Sequence, residues 1–398
     1  MEILDHLYHM TALGNIIHSP GTLLMLAIGL FLLYLGIYKQ YEPLLLVPIA
    51  FGVILANSLG GGMAISTAEE IKHLTFLEIA SKYGIMNYLY YALIKTGLLP
   101  PLIFMGVGAL TDFGPMLRNL RLAIFGAAAQ MGIFSVLLAA LLMGFNLKEA
   151  ASLGIIGGAD GPTAIYTTIK LAPHLLGPIA IAAYSYMALV PVIIPFVVKM
   201  TMTEEEIKIN MKQMDKRFPP KHPVKNMALM KILFPLFVGG LVAVFVPSSV
   251  PLVGMLLFGN LVKEIGANTL RLKEAATGPI MNSATIFLGL TVGATMTADT
   301  FLNSKTLSIV GGGFLAFAIS IAVGIFAAKL YNVFAQKKIN PLIGATGLSA
   351  VPMASRVANE ISLKYDSRNH ILQYCMASNI SGVIGSAVAA GVLISFLG

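Results

Sequence analysis

A chain of 398 residues that is 57% hydrophobic and only 11% charged, with a mean hydropathy of +0.83, is not a soluble globular domain, in which about 25% of residues are charged. The net charge of +8 does not indicate nucleic acid, because the basic residues lie in short polar segments between apolar runs, as cytoplasmic loops do under the positive-inside rule. A single cysteine, Cys375, excludes an internal disulfide and a thiolate metal cluster, and the seven histidines show no ligand spacing. The composition predicts an all-α polytopic protein of the lipid bilayer.

Residues 1–20 contain Glu2 and Asp5 and no basic n-region, so a helix lying in the interface is expected there, not a cleaved signal. Residues 22–38 form the first full span. Lys39 follows it and no Lys or Arg precedes it, which places the N-terminus outside the cytoplasm. Residues 44–57 are apolar but short of the roughly 20 that a crossing needs. Residues 69–95, mixed polar and aromatic, read as interfacial, and residues 98–110, interrupted by Pro100 and Pro101, as another short piece. Residues 122–145 make a full span.

The stretch Gly154 to Tyr166, GIIGGADGPTAIY, then sets a carboxylate, Asp160, between glycines and before Pro162. Glycine costs a helix interior about 1 kcal/mol and proline about 3 kcal/mol, so the helix is expected to break here. Unwound backbone at membrane depth is tolerated where it is buried in protein or lines a wet cavity, and transporters use it to hold cations. A hard cation such as Na+ wants oxygen ligands, which Asp160, freed carbonyls, Thr163 and Ser349 supply. The same carboxylate can instead carry a proton.

Residues 176–198 read as one span. Residues 201–231 are polar, with Lys208, Lys212, Lys216, Arg217, Lys221 and Lys225 against Glu204, Glu205, Glu206 and Asp215, and form a cytoplasmic linker. Beyond it come apolar runs at 232–246 and 251–262, a segment at 278–296 interrupted by Asn282 and Ser283, a span at 306–330, a second broken segment at 340–353 and a last span at 379–397 opened by Asn379. Asn340 and Asn379 read equally as helix caps. Arg356 offers a planar fork for a carboxylate or, alternatively, a cytoplasmic-end anchor. Tyr184 and Tyr186 lie on an otherwise apolar span, as interface-belt tyrosines also do.

The two halves align weakly but in the same order three times. PIAFGVILANSLGG from Pro48 matches PLVGMLLFGNLVKE from Pro251, Ile103 to Gly106 matches Ile286 to Gly289, and GADGPTA from Gly158 matches GATGLSA from Gly344. Repeated halves with an interrupted segment in corresponding places point to a transporter with its ion site where the repeats meet. The expectation is an inverted internal repeat with broken or re-entrant helices. It divides into residues 1–40 (interfacial helix and first span), 41–200 (first half), 201–231 (linker) and 232–398 (second half).

The runs YEPLLLVPIAFG, GGADGPTAIY, AAYSYMALVP, TIFLGLTVGA, NPLIGATGLSAVPMASRVAN and NISGVIGSAVAAG together resemble the beta subunit of the sodium-pumping, biotin-dependent decarboxylases acting on oxaloacetate, methylmalonyl-CoA or glutaconyl-CoA. The resemblance covers nearly the whole chain. It implies decarboxylation of carboxybiotin with uptake of a proton and export of Na+ across the cell inner membrane, on a fold with elevator-like core and scaffold domains. It implies Asp160, Tyr186, Ser349 and Arg356 as catalytic residues and Arg356 and Asn379 as biotin contacts. Asp160, Thr163, Asn340, Gly344, Ser349 and Asn379 become Na+ ligands. The implied partners are carboxyltransferase and biotin-carrier subunits, a small gamma or delta membrane subunit and further copies of this chain. The competing readings are a secondary Na+-coupled carrier without carboxyl chemistry and a non-catalytic anchor.

Overall fold

The computed structural model describes residues 19–40, 43–58, 61–66, 68–219, 226–350 and 353–398. The interfacial helix expected ahead of residue 19 lies outside these. Among the described residues there is no strand. Seven helices are long and apolar enough to cross a membrane, or up to nine with two bent pairs each counted as one span.

The chain runs through α1 (Pro20–Ile37), α2 (Pro43–Ala56), α3 (Phe76–Leu89) and α4 (Leu99–Leu110). Glu69 to Lys95 is therefore not only interfacial. A π-helical turn, Tyr90–Ile94, extends α3, and Phe76–Ile94 forms with α4 a pair bent by 66° that qualifies together as a broken span or re-entrant loop. Pro100 and Pro101 open α4 instead of interrupting it, because proline in the first turn loses no intrahelical bond.

After α5 (Leu120–Leu142) the chain makes α6 (Leu147–Gly154), a 3-10 turn (Ile155–Gly158) and α7 (Gly161–Leu171), so the predicted break at Asp160 is present. The span expected at 176–198 is divided into α8 (Leu176–Ala188) and α9 (Val190–Thr201), with Pro173–Met187 and Val190–Thr201 bent by 67° where Pro191 removes a backbone donor. The linker holds α10 (Glu204–Ile207) and α11 (Met211–Arg217). Beyond it lie α12 (Met227–Phe245), α13 (Val250–Ile265), α14 (Met281–Ala294), α15 (Ser304–Phe334), α16 (Met353–Tyr365) and α17 (Leu372–Leu397).

Two further expectations are corrected here. The segment containing Asn282 and Ser283 is not interrupted: Ala267–Ala294 is one span of 28 residues, and a π-helical turn at Ala276–Ile280 accommodates Pro279. Asn379 does not open the last span, because α17 starts at Leu372. The propensity of asparagine for caps is overridden by three carbonyls that its amide reaches from inside the helix.

The aligned segments pack crosswise: α2 lies on α14, and α4 on α13. Asn57 Nδ2 donates to Met296 O at 2.6 Å, beyond the end of α14, and Asn260 Nδ2 donates to Thr111 O at 2.7 Å, beyond the end of α4. Glycines allow both close approaches. A Cβ at Gly293 would stand 2.1 Å from Ile49 O, and one at Gly259 would stand 1.9 Å from Met105 O.

The broken segments are hairpins with their bases at opposite ends of the protein. At the base of the first, His174 Nε2 lies 2.9 Å from Glu149 Oε1, and Lys305, at the start of α15, donates to the same oxygen at 3.1 Å. The base of the second rests on the linker, as does the far end of α15, where Lys329 pairs with Glu206 at 2.9 Å. From Lys305 to Lys329, α15 separates the two bases by about 36 Å at 1.5 Å per residue.

Candidate cation site

The tips of the two hairpins meet. Ser349 N donates to Gly158 O at 3.0 Å, joining the residue before one break to the unwound turn of the other. Ala159 has φ 55°, a left-handed conformation uncommon for a residue with a Cβ, so the turn is held by its surroundings. That turn presents Asp160 as the N-cap of α7. Its Oδ1 accepts from Thr163 N at 3.1 Å, and Pro162 sits in the first helical turn, where it needs no donor.

The carboxylate is buried, with 5% of Asp160 exposed. Its Oδ2 accepts from Ser386 Oγ of α17 at 2.6 Å, and Ser349 Oγ donates to Ser386 Oγ at 2.8 Å. A chain of hydroxyls thus links both hairpin tips through α17. Among the described residues no basic side chain pairs with Asp160, although buried carboxylates elsewhere in proteins are paired or coordinate metals.

Several buried oxygens around this junction have no hydrogen-bond partner among the described residues: Thr163 Oγ1, Tyr184 Oη, Gln130 Oε1 and Asn379 Oδ1. Thr163 Oγ1 lies beside the Asp160 carboxylate without a well-formed bond to it. The Tyr184 ring packs on Gly161, where a Cβ would stand 2.1 Å from Cε1. Gln130 spends its amide on Gly126, Gly347 and Gly382 carbonyls, and its Oε1 lies beside Gly158. A carboxylate with surrounding hydroxyl and amide oxygens suits a hard monovalent cation. Among the described residues no group of three or more His, Cys, Asp or Glu side chains could hold a metal.

The sequence-derived candidates divide accordingly. Asp160, Thr163 and Ser349 come together, and Asn379 stands next to them through Leu348 O and Ala350 O. Gly344 lies instead against Gly324 of α15, where a Cβ would stand 2.0 Å from Gly324 O. Asn340 is at the base of the second hairpin on the linker. The Tyr186 hydroxyl donates to Val310 O, and its ring packs on Phe314 and Phe317. Arg356 is exposed on α16, seven residues beyond Ser349. Ser386 and Gln130 were missed. Ser386 follows Asn379 by seven residues, two helical turns on one face, and that spacing was the available signal.

The match with known proteins is extensive. Residues 21–397 fit the family described as the Na+-transporting oxaloacetate decarboxylase beta subunit. The chain belongs to this family. Its relatives include the methylmalonyl-CoA decarboxylase subunit beta of Propionigenium modestum, 47% identical over 100% of this chain and 99% of that one. The oxaloacetate decarboxylase beta chain of Klebsiella pneumoniae is 44% identical over 100% and 99%. The glutaconyl-CoA decarboxylase subunit beta of Acidaminococcus fermentans is 45% identical over 97% and 96%. Like its family, the chain is a multi-pass membrane protein.

Proposed function

We propose that this chain is the membrane subunit of a primary Na+ pump, which decarboxylates carboxybiotin carried by a partner subunit, consumes a proton and exports Na+ from the cytoplasm. The observation that carries this reading is Asp160: a buried carboxylate at the junction of two broken hairpins, with two hydrogen-bond donors and no cationic partner among the described residues. Such a group is stable when a cation or a proton neutralises it.

In this reading Asp160, Thr163, Ser349 and Ser386 hold Na+, with Tyr184, Gln130 and Asn379 adding oxygens. The hairpins enter from opposite ends, which supports an inverted repeat, and the crosswise packing of α2, α4, α13 and α14 supports a scaffold beside a moving core. Arg356 is charged and exposed, with about 13 Å of helix between it and Tyr365 at 1.5 Å per residue. A guanidinium there requires a wet vestibule open to the linker side, where it can clamp the carboxylate of carboxybiotin. Loss of CO2 leaves the biotin ureido nitrogen with an electron pair that takes up a proton. Tyr186 is retained as the proton-handling residue on the resemblance alone. Export costs about 2.3 kcal/mol per charge against 100 mV, which the decarboxylation must exceed.

The complex includes carboxyltransferase and biotin-carrier subunits, a small membrane subunit and further copies of this chain. The test is Asp160→Asn in the reconstituted complex. The amide matches the shape but cannot neutralise a cation, so Na+-dependent decarboxylation and Na+ uptake into vesicles are lost while the protein stays folded. Retained Na+-coupled turnover would refute the reading.

A further inference from the structure

The polar linker is bound tightly beneath the second hairpin. Ile207 and Met211 are buried in the core, 3% and 2% exposed. Asp215 accepts from Lys337 Nζ at 2.5 Å and from Tyr374 OH at 2.5 Å, and Lys337 also donates to Phe218 O at 3.0 Å. Asn210 donates to Asp366 at 3.4 Å.

Two asparagines at the two ends of the hairpin use the same pair of linker carbonyls. Asn340 Nδ2 donates to Ile207 O at 2.7 Å and Ile209 O at 3.1 Å; Asn369 Nδ2 donates to Ile207 O at 3.3 Å and Ile209 O at 3.1 Å. Asn340 Oδ1 accepts from Leu342 N at 3.0 Å, and Asn340 N reaches Met211 Sδ at 3.4 Å. The side-chain amide of Asn340 is thus spent on backbone groups, with its donors directed to the linker. The hairpin arm that follows, Pro341–Thr346, is 3-10 in character, a geometry with weaker bonds than an α-helix. Its end points fix where its tip lies.

We propose that Asn340 and Asn369 are paired positioning residues that clip both ends of the second hairpin to residues 207–209. The linker thereby sets the position of Ser349 at the tip, and neither asparagine ligates the transported cation. This rests on the reading of the Asp160 and Ser349 junction as the cation site. It assigns Asn340 a role different from the ligand role implied by resemblance, and it brings in Asn369, for which no role was expected.

Asn340→Asp and Asn369→Asp separate the two roles. A carboxylate is a better cation ligand than an amide but cannot donate to a carbonyl, so it faces Ile207 O and Ile209 O with repulsion. The complete complex in proteoliposomes is assayed for turnover and Na+ half-saturation, and its linker for trypsin cleavage at the exposed Lys212, Lys216 and Arg217. Both variants should lower kcat about ten-fold or more, the scale set by losing buried hydrogen bonds. Na+ half-saturation should stay within about two-fold, and trypsin should cut faster.

A change of about ten-fold or more in Na+ half-saturation for Asn340→Asp, with Asn369→Asp silent, would make Asn340 a ligand and overturn the proposal. Wild-type turnover and cleavage in both variants would overturn it too. Should either variant fail to accumulate, Asn369→Ala is read instead, because Asn340 still holds both carbonyls there: reduced kcat with unchanged Na+ half-saturation supports the clip, and unchanged kcat refutes it. Failure of the cation-site reading shows separately, as Na+-coupled turnover in Asp160→Asn, and leaves the cleavage result standing.

Discussion

Ser386→Ala removes one hydroxyl from the middle of α17 and tests the hydroxyl chain that joins the two hairpins. The Ser386 proton goes to Asp160 Oδ2 at 2.6 Å, and its oxygen receives the proton of Ser349 at 2.8 Å. A hydrogen bond to a charged group contributes about 1.5–3 kcal/mol, and about 1.4 kcal/mol is a factor of ten. The variant should therefore raise the Na+ concentration for half-maximal decarboxylation about ten- to hundred-fold. The assay is the Na+ dependence of decarboxylation by the complete complex in sealed vesicles. Ser320→Ala is the control, because Ser320 Oγ donates to a neutral backbone oxygen, Gly157 O, at 2.6 Å, close to the break. It should change stability more than Na+ half-saturation. If Ser386→Ala leaves half-saturation within about two-fold of wild type, or Ser320→Ala shifts it as far, the hydroxyl chain does not set cation affinity and the reasoning fails.

Other outcomes follow from the same geometry. Gly161→Ala should displace the Tyr184 ring, which a Cβ would approach to 2.1 Å, at a cost of about 1–3 kcal/mol for overpacking, read as a lowered melting temperature in detergent. Arg356→Lys keeps the charge but loses the planar fork, so it should raise KM for carboxybiotin more than Na+ half-saturation; a reversed order would remove Arg356 from carboxylate recognition. Tyr186→Phe deletes the donor to Val310 O and should alter the pH profile of turnover. An unchanged profile and rate would assign Tyr186 to packing against α15.

Much of the first hairpin was legible because local chemistry specifies it. Gly157, Gly158, Gly161 and Pro162 cannot continue a helix without loss, and Pro162 suits the first turn of the next one. The second hairpin was legible as a broken segment at 340–353, but its match to the first only as a weak echo, GATGLSA, in which Thr346 replaces the aspartate. Ser386 was hidden for a different reason. A serine within GVIGSAVAAG has the local pattern of a packing seam, and only the tertiary fold puts Asp160 opposite it. Arg356 and Asn340 show the reverse. For Arg356 residue type suggested carboxylate recognition, and for Asn340 the resemblance implied cation binding where residue type read equally as a cap; neither reveals direction, and the structure leaves Arg356 exposed and makes Asn340 an N-cap turned to the linker. The bend at Leu189 was missed because a long apolar run looks the same whether its helix is straight or broken, and the broken span of α3 and α4 was missed because residues 76–94, mixed polar and aromatic, have the composition of an interfacial helix.

That no basic side chain among the described residues pairs with Asp160 bears on coupling. A fixed lysine or arginine beside the carboxylate would make the site neutral when empty, and the site could then move without cargo. With Thr163 N and Ser386 Oγ as its donors among the described residues, the empty, ionised site keeps its charge, and burying an ion uncompensated costs several kcal/mol. At about 1.4 kcal/mol per factor of ten, a penalty of about 3–6 kcal/mol reduces movement of the empty, ionised site by about a hundred- to ten-thousand-fold. Na+ and a proton each remove that penalty, so on this reading the core moves with one or the other bound. A proton taken up from outside can therefore displace the exported ion and return with the core to the side where biotin needs it. On the proposed reading the two donors stabilise the carboxylate enough for it to bind Na+, whereas a third, charged donor would uncouple the pump.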